Sequence, residues 1–190
     1  MAKPVRKTYP LILASASPRR KLLLKTLKIP FTVVPSRLFE PPPGFMDAVS
    51  YARKLALAKA RIVAKQAGTG WVLGADTVVV HKGEILGKPA DPADGIRMLS
   101  RLQGTTHKVV TGVALVDAAT GKEKVAHAVS TVTMKPLALK EIVRIAAKHL
   151  DKAGCYAAQE KKDPVIKKVV GSYSNVVGLP LEVLKKILVV

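Results

Sequence analysis

A mixed α/β fold, a twisted sheet flanked by helices, is predicted by this 190-residue sequence. Short apolar β-rich runs alternate with helical stretches through its first half. Two long β-rich segments, His107–Asp117 and Lys124–Met134, are joined by a glycine-containing turn in the second. Hydrophobic residues make up 48% of the chain and aromatic residues 4%, so the core must be packed with Leu, Val, Ile and Ala. That apolar content argues against disorder, and the length suits one domain over residues 1–190.

Leu11–Ala14 reads as a buried strand. A helix follows from about Pro18 to Lys28, with Ser17 as N-cap and Pro18 at the first helical position. "FTVVPS" is a second strand, and Glu40-Pro-Pro-Pro-Gly makes a stiff loop into a long helix opened by Asp47 and stopped near Gly68. Trp71–Val80 is strand-like on both faces, and "GEILG" is a short return. Asp91-Pro92 opens a helix running to about Leu102, with Gly104 as its stop. Beyond the hairpin, "LKEIVRIAAKHL" and "LEVLKKIL" carry the period of amphipathic helices. No solenoid-length repeat or low-complexity linker divides the chain.

Lys and Arg total 32 against 13 Asp and Glu, a formal charge of +19 that attracts polyanions, nucleotides and anionic surfaces without choosing among them. The lysine pairs Lys161-Lys162, Lys167-Lys168 and Lys185-Lys186 suit non-specific nucleic-acid contact, but no recognisable nucleic-acid motif accompanies them. Cys155 alone cannot form an internal disulfide, and His81, His107, His127 and His149 show no zinc-ligand spacing with it, so a reduced, cytoplasmic protein is expected. The basic N-terminus and "YPLILASA" imitate a secretion signal, but the apolar run is short and Arg19-Arg20 follow at once. No apolar run approaches the roughly 18 residues of a membrane span, and no membrane partner is expected. "GEILGKP" fails as a phosphate loop, having three residues between its glycines and Pro89 in place of Ser or Thr. "GTGWVLG" precedes a strand where a dinucleotide fingerprint would open a helix.

What remains is a set of misplaced charges. Arg19 and Arg20 sit at a helix start, where the dipole disfavours cations. Beside Ser15 and Ser17 they form either an anion site or a pair pointing into solvent at a cost of about 0.3–1 kcal/mol each. At about 100° per residue Lys59 falls in the sector of Ala52, Leu55, Ala56, Ile62 and Val63, while Lys54, Arg61 and Lys65 fall opposite. It therefore needs an anionic partner or a snorkelling route. Asp76 lies in an otherwise apolar strand, with Gly74 leaving room beside it, and reads as a turn cap, a general base or a magnesium ligand. Lys88 precedes Pro89 on a loop. Glu40 has no local capping task, unlike Asp47, Asp91 or Asp117. Together Arg20, Lys59 and Lys88 would neutralise a polyphosphate while Glu40 and Asp76 hold a divalent ion or activate water.

"LASASPRRKLLL", Glu40, "LALAKA", "GADTVVV", "ILGKPAD", "HKVVTGVAL", "DKAGCYAAQ" and "GSYSNVVGLPLE", in this order, resemble the Maf family of nucleoside triphosphate pyrophosphatases across nearly the whole chain. The resemblance implies two lobes around a central cleft, a Maf/ITPase-like arrangement. It also implies a homodimer and hydrolysis of nucleoside triphosphates to monophosphate and pyrophosphate with Mg²⁺ or Mn²⁺. It makes Asp76 the proton acceptor and places Ser15, Arg20, Glu40, Lys59 and Lys88 along the cleft. Arg19, Thr77 and Gln159 match the selectivity positions of a branch acting on dTTP and UTP, and the Gln159 amide offers a donor and an acceptor to a pyrimidine edge. The chain departs from the family after Gln159, where "EKKDPVIKK" replaces glycines, and before "DKAG", where Lys and His replace acids. The rival expectations are a nucleic-acid-binding protein and a catalytically silent regulator of cell division.

Overall fold

The computed structural model describes residues 10–159 and 165–188. The Lys161-Lys162 pair and the first five residues of the "EKKDPVIKK" departure lie outside them.

Three parallel strands begin the sheet. β1 (Leu11–Leu13) is joined to β2 (Phe31–Val33) by α1 (Pro18–Lys25), and α2 (Ala48–Ala67) crosses back to β3 (Trp71–His81) on the other side of β1. These are helical crossovers of the kind parallel pairing requires. The rest is antiparallel: β4 (Glu84–Leu86) returns on β3, and α3 (Pro92–Leu102) leads to β5 (Thr106–Asp117) and its hairpin partner β6 (Glu123–Met134). After α4 (Leu139–Lys148) and a 3₁₀ turn at Ala153–Cys155, β7 (Ile166–Val170) adds to β6. Then α5 (Tyr173–Val177) and α6 (Leu181–Leu188) complete the described chain. The seven strands run β2-β1-β3-β5-β6-β7, with β4 on β3.

Most boundaries match the expectation. Ser17 accepts a hydrogen bond from the Arg20 amide, Asp47 from Val49 and Ser50, and Asp91 from Asp94, each cap being worth about 1 kcal/mol. Gly68 ends α2 in the left-handed conformation. α1 stops three residues before Lys28, whose φ of 54° has left the helical region. β7 and α5 were not foreseen. β7 is an edge strand whose exposed Lys167 and Lys168 suit an unpaired edge, and the five residues of α5 are too few to show a helical period.

β1 and β4 share one edge of β3. β1 pairs with Trp71–Leu73 and β4 with Val79–His81, while β5 lines the opposite edge throughout. Between them, Gly74–Val78 faces a gap in the sheet, and residues from both faces of β3 reach into it. Apolar cores occupy the two ends of the long strands. One joins Leu13, Leu24, Leu73, Leu115 and Leu184, and the other gathers Leu99, Leu102, Met134 and Ile145 around Val79 and Val109. Each such fully buried side chain contributes about 1.5–3 kcal/mol. The expected cleft between two packed regions is this gap.

α2 lies directly on the sheet. A Cβ on Gly74 would sit 2.1 Å from the Ala56 carbonyl oxygen, and one on Gly112 would sit 2.4 Å from that of Ala52. The room beside Asp76 at Gly74 is thus filled by the helix backbone. Gly112 is the β5 partner of Asp76, so both glycines flank the residue that α2 must approach. Ala52, Ala56 and Ala60, all fully buried, complete a surface small enough for this contact.

Candidate active site

Lys59 descends from α2 into the gap, and its 7% exposure excludes the snorkelling alternative. Its Nζ lies 2.5 Å from Asp76 Oδ1 and 2.7 Å from Glu40 Oε1. Asp76 is 5% exposed and caps no turn. Two buried charges of opposite sign are tolerable here because each satisfies the other. Lys88, from the loop after β4, reaches Glu40 Oε1 at 3.4 Å. Glu40 is held over the site by its stiff loop, whose Pro41 carbonyl accepts the Tyr51 hydroxyl at 2.6 Å.

Arg20 answers the question raised by its place at a helix start. Its Nε donates to the Gly178 carbonyl at 2.9 Å, Nη1 to Ser15 Oγ at 3.3 Å and Nη2 to Thr77 Oγ1 at 3.1 Å. The guanidinium thus turns to the carbonyl end of α5, where a cation is favoured. Thr111 donates its single hydroxyl proton to the Asn175 carbonyl, so it accepts from Thr77, whose oxygen accepts from Arg20. Ser15 Oγ accepts from Arg20 and from the Ser17 amide. Its own proton is left for an incoming acceptor. Arg19 pairs with Asp151 at 3.5 Å, and Gln159 is exposed at the far rim.

Electrostatics separates the two carboxylates. Burial pushes Asp76 above the ordinary carboxylate range, outweighing the attraction of Lys59 and Arg20, and the Glu40 charge pushes the same way. Burial acts on Glu40 too, but its hydrogen bond to Lys59 and the charges of Lys59 and Lys88 prevail and hold it below that range. Two acids tuned in opposite directions suit a division between a base and a permanently ionised anchor. On the wall of the same cleft, the buried Tyr156 hydroxyl meets His107 Nε2 at 2.7 Å, and burial lowers His107 to about 4.

One cleft of about 500 Å³ is lined by all nine predicted residues, Ser15, Arg19, Arg20, Glu40, Lys59, Asp76, Thr77, Lys88 and Gln159. Sequence reasoning missed Arg37, Lys152 and Tyr156 on its walls, and Thr111 and Asn175 behind Arg20. Lys152, Tyr156 and Asn175 lie within quoted motifs, which was their signal. Thr111 likewise lies within "HKVVTGVAL"; Arg37 had no comparable signal.

The profile described as "Maf-like protein" matches residues 10–189. The chain belongs to the Maf family. It is 46% identical over 95% of its length to the "dTTP/UTP pyrophosphatase" of Moorella thermoacetica, of which 94% is covered. It is likewise 46% identical to the proteins of that name from Pelotomaculum thermopropionicum, over 90% of this chain and 91% of that one, and Citrifermentans bemidjiense, over 92% of each. A solved nucleoside-triphosphatase / dITP/XTP pyrophosphatase from Mycobacterium abscessus aligns with 66% of this chain and 74% of its own at a TM-score of 0.43 and 17% identity, a likeness too distant to bear on function.

Proposed function

We propose that this Maf protein hydrolyses nucleoside triphosphates, dTTP and UTP foremost, to the monophosphate and pyrophosphate. The observation that carries the proposal is Asp76, Lys59, Glu40 and Arg20 converging on one cleft, in a chain 46% identical to dTTP/UTP pyrophosphatases. Residues 1–190 act as one domain in this reading, as a homodimer in a reducing cytoplasm where the buried Cys155 stays a free thiol. No helix among the described residues is long and apolar enough to cross a membrane.

Asp76, with its raised affinity for protons, takes a proton as water attacks the α-phosphorus. The new P–O bond forms while the bond to the β-phosphate bridging oxygen breaks, and pyrophosphate leaves with that electron pair. Arg20 and the Ser15 hydroxyl are positioned to grip phosphate oxygens at the floor, and Lys59 and Lys88 offset the charge that builds on the leaving group. Thr77 acts through Arg20, since its hydroxyl is committed to Arg20 and Thr111. Arg19 and Gln159 are left to read the base.

A divalent cation suits the donor set. Glu40 and Asp76 offer hard oxygens, and among the described residues no group of three or more His, Cys, Asp or Glu forms a full protein cage. Mg²⁺ or Mn²⁺ sharing two carboxylates with substrate phosphates matches that pattern, and would supply charge neutralisation at the phosphates. A silent regulator or a nucleic-acid binder would leave the buried Lys59–Asp76–Glu40 group without a purpose.

The test is a panel of nucleoside triphosphates with Mg²⁺ or Mn²⁺, assayed separately for pyrophosphate and orthophosphate. Pyrophosphate release, fastest with dTTP and UTP, is expected. Orthophosphate as the sole product would refute the proposal.

A further inference from the structure

Six cations line the cleft: Arg19, Arg20, Arg37, Lys59, Lys88 and Lys152. Five are already engaged. Arg20 has three acceptors, Lys59 holds Asp76 and Glu40, Lys88 holds Glu40, and Arg19 and Lys152 share Asp151. The Arg37 guanidinium alone has no hydrogen-bond or ion-pair partner among the described residues. A charge without a partner on the wall of a cationic cleft is free to meet an incoming anion without first breaking a protein contact.

The backbone at Arg37 is also unusual. Its φ is 49°, in the left-handed region that most side chains avoid. Lys28 and Lys82 share that conformation, but Lys28 lies in the turn that ends α1 and Lys82 in the β3–β4 hairpin turn. Arg37 lies in irregular chain between β2 and Glu40, where no hydrogen-bonded turn demands it. Strain of this kind persists where the surroundings hold it. Here the loop is held on both sides: the Val34 amide donates to the Leu13 carbonyl, and the Pro41 carbonyl accepts from Tyr51.

The geometry points to Arg37 as a further binding residue for the terminal phosphates, the part of the substrate that leaves as pyrophosphate. Arg37 lies three residues before Glu40, which touches Lys59 and Lys88, so its loop belongs to the end of the cleft assigned to the leaving group. A planar guanidinium matches a phosphate edge through two parallel N–H groups. The inference rests on the proposed reaction and adds a residue to it.

Arg37→Asn removes the charge while keeping a residue that tolerates the left-handed region. With UTP and Mg²⁺, KM is expected to rise about tenfold with kcat within about twofold, the signature of binding shared by ground and transition states. The inhibition constant of added pyrophosphate should rise by a similar factor. Arg37→Lys should recover part of the loss, added KCl should narrow the gap to wild type, and the Tm of Arg37→Asn should not fall. An unchanged KM and pyrophosphate inhibition constant would overturn the assignment, as would a lowered Tm with a KM change that Arg37→Lys does not relieve. Calorimetric titration of pyrophosphate into the wild-type and Arg37→Asn proteins, without turnover, keeps the two questions apart. Equal affinities refute the role of Arg37, whereas wild-type protein that binds pyrophosphate but releases none from UTP refutes the reaction.

Discussion

The floor of the cleft and its rim are built on different terms. At the floor, Lys59 and Asp76 are almost wholly buried, and Arg20 is held by three acceptors that come from three separate segments. At the rim, the Lys88 side chain is 54% exposed with one long contact to Glu40, while Arg37 and Gln159 are exposed. The difference teaches where geometry must be fixed in advance. The α-phosphorus and its attacking water tolerate little displacement, so their partners are locked by packing. A leaving group and a base need charge and hydrogen bonds that adapt, which exposed side chains supply.

Breaking the floor should therefore cost rate, and breaking the rim should cost binding. The largest effect is expected from Asp76→Asn, which should lower kcat about 10³-fold. Because burial raises the Asp76 pKa, ionised Asp76 weakens the fold progressively as pH rises from the unfolded value through the raised one. The asparagine variant takes one of the two acids from the buried Lys59 and leaves it Glu40, so thermal unfolding at pH 7 should show a Tm that falls only modestly beside the roughly 10³-fold loss of rate. A large fall in Tm with modest loss of rate would make Asp76 structural.

Next is Gly74→Ala, which drives a methyl group into the Ala56 carbonyl and lifts the helix carrying Lys59. A loss of about 3 kcal/mol in urea unfolding, together with a fall in kcat, is expected. Stability lost without any loss of kcat would mean that the close contact does not set the Lys59 position.

The pH dependence of stability probes the buried wall behind Tyr156. His107 is held near pKa 4 against 6.5 when unfolded, so its contribution is complete above about pH 6.5 and is lost as pH falls towards 4. The loss should approach about 3 kcal/mol, and His107→Gln should flatten that part of the profile. The smallest effect is at the rim: Lys88→Ala should raise KM about tenfold and lower kcat only a few-fold, far less than Asp76→Asn does, with Tm near wild type.

Much of the floor was legible because charge in an apolar pattern is physically conspicuous. Lys59 could be placed on the buried stripe of a helix from the angle per residue, and Asp76 stood out in a strand with no other charge. What paired them was not legible, since it depends on Gly74 and Gly112 letting α2 rest on the sheet. Nor could the sequence show that β1 and β4 share an edge of β3 and leave the gap that brings both faces into the cleft. Asn175 and Arg37 escaped for local reasons: one lies in a five-residue helix, and a left-handed arginine is not encoded by residue type. The sheet order, which places residues more than 150 positions apart in contact at Arg20 and Gly178, is likewise a property of the whole chain.

The central claim is that the buried floor directs water onto the α-phosphorus. Hydrolysis of UTP in ¹⁸O-water, with both products analysed by mass spectrometry, tests it most directly. The label should appear in the nucleoside monophosphate and be absent from pyrophosphate; label in the pyrophosphate would mean attack on the β-phosphorus and would contradict the role given to Asp76.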